Sequence, residues 1–94
     1  MISVGIDVSK GKSTICILKP YGEILMSPHD YNHTQSDMKM LVDKLNKYDD
    51  EIHIIMEATG IYHLPIAQYL KSSDSSSFNP YHYFHFFIQI LYNL

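Results

Sequence analysis

Two acidic residues stand at the ends of two predicted buried strands. Asp7 comes near the end of the alternating run 2–8, and Glu57 follows the short apolar run 52–56. Neighbouring carboxylates repel each other unless a cation lies between them. Oxygen ligands suit Mg²⁺ or Mn²⁺, ions that promote phosphoryl transfer. Asp7 and Glu57 are therefore candidate metal ligands and catalytic residues, although on spacing alone both acids could simply end their strands.

Three antiparallel strands are predicted before residue 27. Apolar and polar residues alternate over 2–8, which indicates a strand, and the β-branched run 13–18 indicates a second one. A turn at Gly11-Lys12 separates them. The turn at residues 19–22 contains Pro and Gly and leads into a third, short strand at 23–26.

The pattern from residue 27 to residue 71 predicts a helical crossover. After a polar loop with Pro28 and Asp30, Thr34 is a candidate cap for a helix that runs to about Lys47. Its apolar stripe is Met38, Leu41, Val42 and Leu45. A strand at 52–56 and a helix near 61–71 complete the order β-β-β-α-β-α. A strand that follows a crossover helix usually pairs in parallel, so Asp7 and Glu57 should emerge at one edge of a mixed α/β sheet.

Two lysines lie beside Asp7 on the predicted hairpin. Lys10 and Lys12 are candidate contacts for nucleic-acid phosphates, or they are simply solvated. The chain as a whole carries a net charge of −3 and no Arg, which excludes a generally basic nucleic-acid binder.

The composition changes after residue 71. All seven Lys lie in residues 1–71, whereas residues 72–94 hold all four Phe and a single charge, Asp74. We therefore divide the chain into a body, 1–71, and a Ser-rich then aromatic tail, 72–94. Three interpretations of the tail stay open: a linker with an interaction or membrane-surface segment, an apolar strand or helix packed on the body, or out-of-frame translation.

Other classes of protein are excluded by composition. The single cysteine, Cys16, rules out a disulfide scaffold and a four-cysteine zinc site. No apolar run reaches the roughly 20 residues of a membrane span, and the first residues lack the pattern of a signal peptide. We therefore expect a cytoplasmic chain without a membrane partner.

Two segments carry a family resemblance. VGIDVSKGKSTICIL at 4–18 and IIMEATGIYHLPIAQYL at 54–70 resemble the N-terminal domain of the DEDD-type insertion-sequence transposases. That domain is similar to RuvC-type nucleases, and the family includes bridge-RNA-guided recombinases. Over residues 2–71 the resemblance implies an incomplete ribonuclease H-like fold, Mg²⁺ (or Mn²⁺) binding and DNA recombination. The family's first two acids correspond to Asp7 and Glu57.

The departures from the family concern the rest of its machinery. Its third and fourth acids form a D-x-x-D pair, but after Glu57 the only acid in these 94 residues is Asp74. The family's separate domain with a nucleophilic Ser is also missing from them. Two carboxylates hold a divalent ion weakly, so we expect a truncated or frameshifted chain that is inactive alone. By resemblance, its partners are DNA, a structured guide RNA and further copies of the chain.

Two functions from other classes stay open. The aromatic tail could make the chain a non-enzymatic module that binds a partner. Alternatively, a hairpin with an Asp at the end of its first strand resembles the phosphate loop of actin-like ATPases, which would make the chain a nucleotide-binding fragment.

Overall fold

A computed structural model describes residues 1–48, 50–59, 61–73 and 84–91. In chain order the elements are β1 (Ile2–Ser9), β2 (Lys12–Leu18), β3 (Ile24–Asn32), α1 (Gln35–Leu45), β4 (Ile52–Thr59), α2 (Leu64–Ser73) and β5 (Phe84–Leu91). The strands form one mixed sheet in the order β3-β2-β1-β4-β5. The α/β class and the order β-β-β-α-β-α are confirmed, and a fifth strand follows.

Two tight turns connect the three antiparallel strands. Lys10 and Gly11 join β1 to β2, and Gly11 has a φ of 75°, which favours glycine. Residues 20–22 form a short 3₁₀ turn between β2 and β3, in which Gly22 has a φ of 83°. Both predicted turns are thus confirmed, the first one residue earlier than expected.

The third strand is longer than predicted. We expected it to end at Met26, with a polar loop through Pro28 and Asp30; this is wrong, because β3 continues to Asn32, opposite Lys12. The register shifts between the pairs Ile15↔His29 and Ile17↔Met26, so Pro28 lies at an irregularity of an edge strand. Edge strands and bulges tolerate a proline, which has no N–H to donate.

The crossover from β3 to β4 follows the prediction. Thr34 caps α1 by accepting a hydrogen bond from the Asp37 amide at 3.3 Å. The Asp37 carboxylate in turn accepts from the backbone N–H of Asn32 at 2.8 Å, which holds the end of β3 against the helix. Strand β4 pairs in parallel with β1, as the crossover predicted.

The second helix begins three residues later than expected, at Leu64, and ends at Ser73. Pro65 falls in its first turn, where a missing N–H costs no helical hydrogen bond. Among the residues that the structure describes, no helix is both long and apolar enough to cross a membrane.

Part of the tail belongs to the sheet. Strand β5 pairs in parallel with β4 along its whole length, from Ile52↔Phe84 to Thr59↔Leu91. A strand packed on the body is one of the three interpretations of residues 72–94, and residues 84–91 form that strand. Most of the Ser-rich segment, residues 74–83, and residues 92–94 lie outside the described residues. The division at residue 71 stays a prediction.

The buried side chains lie on one face of the sheet. They alternate along β1 and β4 and pack against α1 and α2 in one core. The predicted stripe of α1 is buried as expected. The largest fully buried side chains are Ile15, Ile17, Leu41, Leu45, Ile52, Ile54, Met56, Ile66, Leu70 and Val4. On the opposite face no described helix covers the strands, and we refer to it as the open face.

A partly buried polar contact joins β2 to the residue before the cap of α1. Ser13 is fully buried, and its hydroxyl lies 2.7 Å from Nε2 of His33, where either atom can donate depending on the His33 tautomer. The His33 amide also donates to the Gly11 carbonyl at 2.9 Å. Burial lowers the pKa of the His33 imidazole below its usual 6.5. The fold therefore favours neutral His33.

We predict that the chain loses stability as pH falls below 6.5. As pH falls, the unfolded chain binds a proton at His33 at a higher pH than the folded chain does. The contribution of His33 to the free energy of unfolding is therefore complete above pH 6.5 and declines between 6.5 and the lower pKa of the folded chain. Urea denaturation between pH 7.5 and 5 measures the decline. His33→Gln should flatten it, and His29→Gln, an exposed change on β3, should not. Parallel pH profiles of wild type and His33→Gln would contradict this role.

Candidate functional site

Asp7 and Glu57 are register partners on adjacent parallel strands. Their Cα atoms pair directly in the β1–β4 ladder. Neighbouring strands are about 4.8 Å apart, so the two carboxylates start from one short spacing. Both side chains are exposed, whereas Ile6 and Met56 before them are buried on the other face. The structure thus brings the two predicted acids together on the open face.

A cavity of about 390 Å³ lies against these two acids. Three of its lining residues carry side-chain oxygens: Asp7, Thr14 and Glu57. The other lining residues are Gly5, Ile6, Cys16, Pro28 and Ile55. The cavity therefore has a polar end at the carboxylates and an otherwise apolar lining.

Gly5 keeps this cavity open. A Cβ atom at Gly5 would lie 3.2 Å from Sγ of Cys16, which is closer than ordinary van der Waals contact. Cys16 is the register partner of Gly5 on β2 and is half-buried on the open face. A side chain at position 5 would therefore push against Cys16 and reduce the space beside Asp7.

Thr14 and Asp30 are two site residues that the sequence analysis missed. The Thr14 hydroxyl donates to Oδ1 of Asp30 at 2.6 Å, and Thr14 lines the cavity. This hydrogen bond, with the Lys12 charge as the next cause, holds the pKa of the Asp30 carboxyl below its usual 3.8. The sequence carried no local signal for this contact, because Asp30 is brought beside Thr14 only by the pairing of β3 with β2.

The two candidate phosphate contacts differ in their surroundings. Nζ of Lys12 lies 3.6 Å from Oδ2 of Asp30, and both side chains are more than half exposed. Lys10 is exposed in the two-residue loop, and no described residue forms an ion pair with it. Of the two lysines, Lys10 is thus the more available to an outside anion.

The donor set at Asp7 and Glu57 suits a hard divalent cation. Carboxylate oxygens are the ligands that Mg²⁺ prefers, and Mg²⁺ usually keeps several waters beside one or two carboxylates. Within the described ranges, no group of three or more His, Cys, Asp and Glu side chains could hold a metal. Asp7 and Glu57 could hold such an ion, which would take its remaining ligands from water.

Two other cavities, of about 280 and 370 Å³, flank His33 near the start of α2. Neither has an acidic residue among its described lining residues, which include Thr34, Pro65 and Tyr69 in one and Ile61 and Tyr62 in the other. They lack the paired carboxylates of the first cavity.

The fold and the cavity define an α/β domain with two carboxylates near the carboxyl ends of adjacent parallel strands. Ligand sites of such sheets concentrate at these ends. A family model described as a transposase, of the IS110 DEDD type, matches residues 4–82. The chain therefore belongs to this transposase family, and the resemblance found in the sequence is confirmed. The match favours neither the partner-binding module nor the actin-like fragment.

Two solved structures that resemble this chain in backbone trace have low sequence identity to it. Pelota from Archaeoglobus fulgidus is 11% identical with a TM-score of 0.49, over 96% of this chain and 27% of its own. The Aquifex aeolicus member of the Ppx/GppA family is 8% identical with a TM-score of 0.37, over 98% of this chain and 35% of its own. The chain thus spans about a third or less of either protein, and neither likeness supports a functional argument. No curated protein matches the chain.

We predict that neutralising either acid stabilises the metal-free chain. Like charges directly opposite each other on neighbouring strands are destabilising, and cross-strand side-chain pairs contribute roughly 0.2–1 kcal/mol each. Glu57→Gln or Asp7→Asn should raise the free energy of unfolding by about that amount at low ionic strength, and added salt should shrink the gain. Urea denaturation followed by circular dichroism measures it. Glu23→Gln is the matched control, since Glu23 is exposed and lies away from the pair; an equal gain in Glu23→Gln would contradict the pairwise repulsion.

Proposed function

We propose that this chain is the N-terminal part of a ribonuclease H-like, RuvC-like domain that serves DNA transposition with a divalent metal ion. Family membership supports the transposition role. Three antiparallel strands followed by parallel strands joined through helices support the fold. The register pairing of Asp7 with Glu57 is the single observation that carries the metal-dependent mechanism.

Asp7 and Glu57 would hold Mg²⁺ or Mn²⁺ through their carboxylates. When bound, such an ion activates the attacking oxygen and stabilises the leaving one in phosphoryl transfer. The strands supply a rigid base for this task, because both acids stand on paired backbone and not on loops. The open face leaves room for a phosphate backbone beside them.

These 94 residues alone should hold the ion weakly and should not cut or join DNA. The family's D-x-x-D pair has no counterpart after Glu57, where Asp74 is the only acid. Two carboxylates leave most of the coordination to water, which gives little affinity and little orientation. Metal-dependent nicking or strand exchange of DNA by the purified chain would refute this proposal.

DNA, a structured guide RNA and further copies of the chain are the proposed partners. Membership in a transposase family supports DNA, and the resemblance supports the other two. Lys10 is the proposed phosphate contact within the described part, because the charge of Lys12 is shared with Asp30. Size-exclusion chromatography of the chain with and without structured RNA tests both self-association and RNA binding; an unchanged monomer peak would count against these two partners.

The metal site is tested by Mn²⁺ binding. Titration of the chain with Mn²⁺, followed by the electron paramagnetic resonance of the free ion, should give weak binding at one site. Asp7→Asn and Glu57→Gln should each abolish it, because a single carboxylate remains, whereas the matched Glu23→Gln should bind like wild type. Binding that survives both substitutions would place the ion elsewhere.

The phosphate contact is tested by the salt dependence of DNA binding. Fluorescence anisotropy of a labelled oligonucleotide at several KCl concentrations gives the slope of log K against log[salt]. Lys10→Ala should lower the magnitude of that slope by about 1, as for the loss of one phosphate contact. Lys12→Ala should change it less, and Lys39→Ala, an exposed change on α1, should leave it unchanged. Equal slopes for wild type and Lys10→Ala would rule out the contact.

A further inference from the structure

Four polar residues lie side by side on four neighbouring strands of the open face. The register pairs Asp30 with Thr14, Thr14 with Asp7, and Asp7 with Glu57. This polar row (Asp30, Thr14, Asp7 and Glu57) crosses the sheet at a right angle to the strands. The two members outside the carboxylate pair, Thr14 and Asp30, are linked by the 2.6 Å hydrogen bond between their side chains.

The hydrogen bond to Asp30 determines whether the Thr14 hydroxyl can donate to or accept from a further partner. A threonine hydroxyl has one proton to donate and lone pairs with which to accept. The Thr14 hydroxyl donates that proton to the Asp30 carboxylate, because an ionised carboxylate has no proton of its own to donate. Towards any other neighbour the Thr14 oxygen can therefore act only as an acceptor. Thr14 also lines the cavity together with Asp7 and Glu57.

An acceptor beside these two carboxylates matches the chemistry of a hydrated cation. Mg²⁺ and Mn²⁺ held by two carboxylates keep several waters, and the ion polarises those waters into strong hydrogen-bond donors. Two anionic side chains fix the ion, but they leave the direction of its waters open. A neighbouring group that can only accept would fix one of them.

We propose that Thr14 and Asp30 are positioning residues for the cation at Asp7 and Glu57: Thr14 accepts a hydrogen bond from a cation-bound water, and Asp30 holds the Thr14 hydroxyl in the accepting orientation. This inference rests on the proposed function. Lys12 balances the charge of Asp30. The effect of Asp30 on the ion therefore runs through Thr14 and not through long-range attraction.

The test is the Mn²⁺ affinity of the 94-residue chain, measured by electron paramagnetic resonance of the free ion. Thr14→Val keeps the shape and removes the hydroxyl, so it should weaken binding by about tenfold, the lower end of the usual cost of losing an outer hydrogen bond at a metal site. Thr14→Ser keeps the hydroxyl and should bind within about twofold of wild type. Asp30→Asn should weaken binding like Thr14→Val, because the amide can donate and no longer fixes the hydroxyl proton.

The outcomes separate this inference from the proposed function. Circular dichroism and urea denaturation verify that each variant is folded. If Thr14→Val does not fold, Asp30→Asn, an exposed change on an edge strand, tests the proposal in its place. Loss of binding in Asp7→Asn together with unchanged binding in Thr14→Val and Asp30→Asn would overturn the positioning role alone. Absence of binding in wild type, or binding that Asp7→Asn leaves unchanged, would overturn the proposed metal site and this role with it.

Discussion

The parallel pairing of β1 with β4 is the interaction on which the rest of the structure depends. It runs from Ile2↔Ile52 to Val8↔Ala58. Because side chains alternate along a strand, this single register buries Ile6 and Met56 and leaves Asp7 and Glu57 outside. A slip by one residue would move every side chain of one strand to the other face, which would bury an acid and expose part of the core. Hydrophobic packing on one face thus fixes the position of the two carboxylates on the other.

The crossover that makes this pairing possible also makes the two faces unequal. A parallel pair requires a long connection, here α1, and both helices join the core on the same face. The open face carries the exposed Ile55 beside Gly5, whose neighbour on the other side is Cys16. The sheet therefore presents its cavity on the face that no described helix covers.

The acidic residues of the polar row differ in whether a neighbouring group compensates their charge. Asp7 and Glu57 stand side by side and form no ion pair with a described residue, whereas Asp30 is compensated by a hydrogen bond from Thr14 and by the Lys12 charge. Asp30 on β3 lies two strands from Asp7 on β1 and three strands from Glu57 on β4, yet its electrostatic surroundings differ from theirs. The carboxylate of Asp30 is already satisfied by the chain itself, whereas the pair Asp7 and Glu57 is where we propose a divalent cation. This contrast is what the proposed metal-dependent role explains.

The sequence by itself determined β1, β2, the apolar stripe of α1 with its Thr34 cap, and the family, because alternation, helical period and turn residues act over a few positions. From the crossover it also predicted that Asp7 and Glu57 share an edge. The extension of β3 through Pro28, the Thr14–Asp30 bond and the place of β5 were decided only by the tertiary structure. A segment with a proline and polar residues has no local preference for a strand. Hydrogen bonds to β2 make it one, and those bonds exist only once the strands have met.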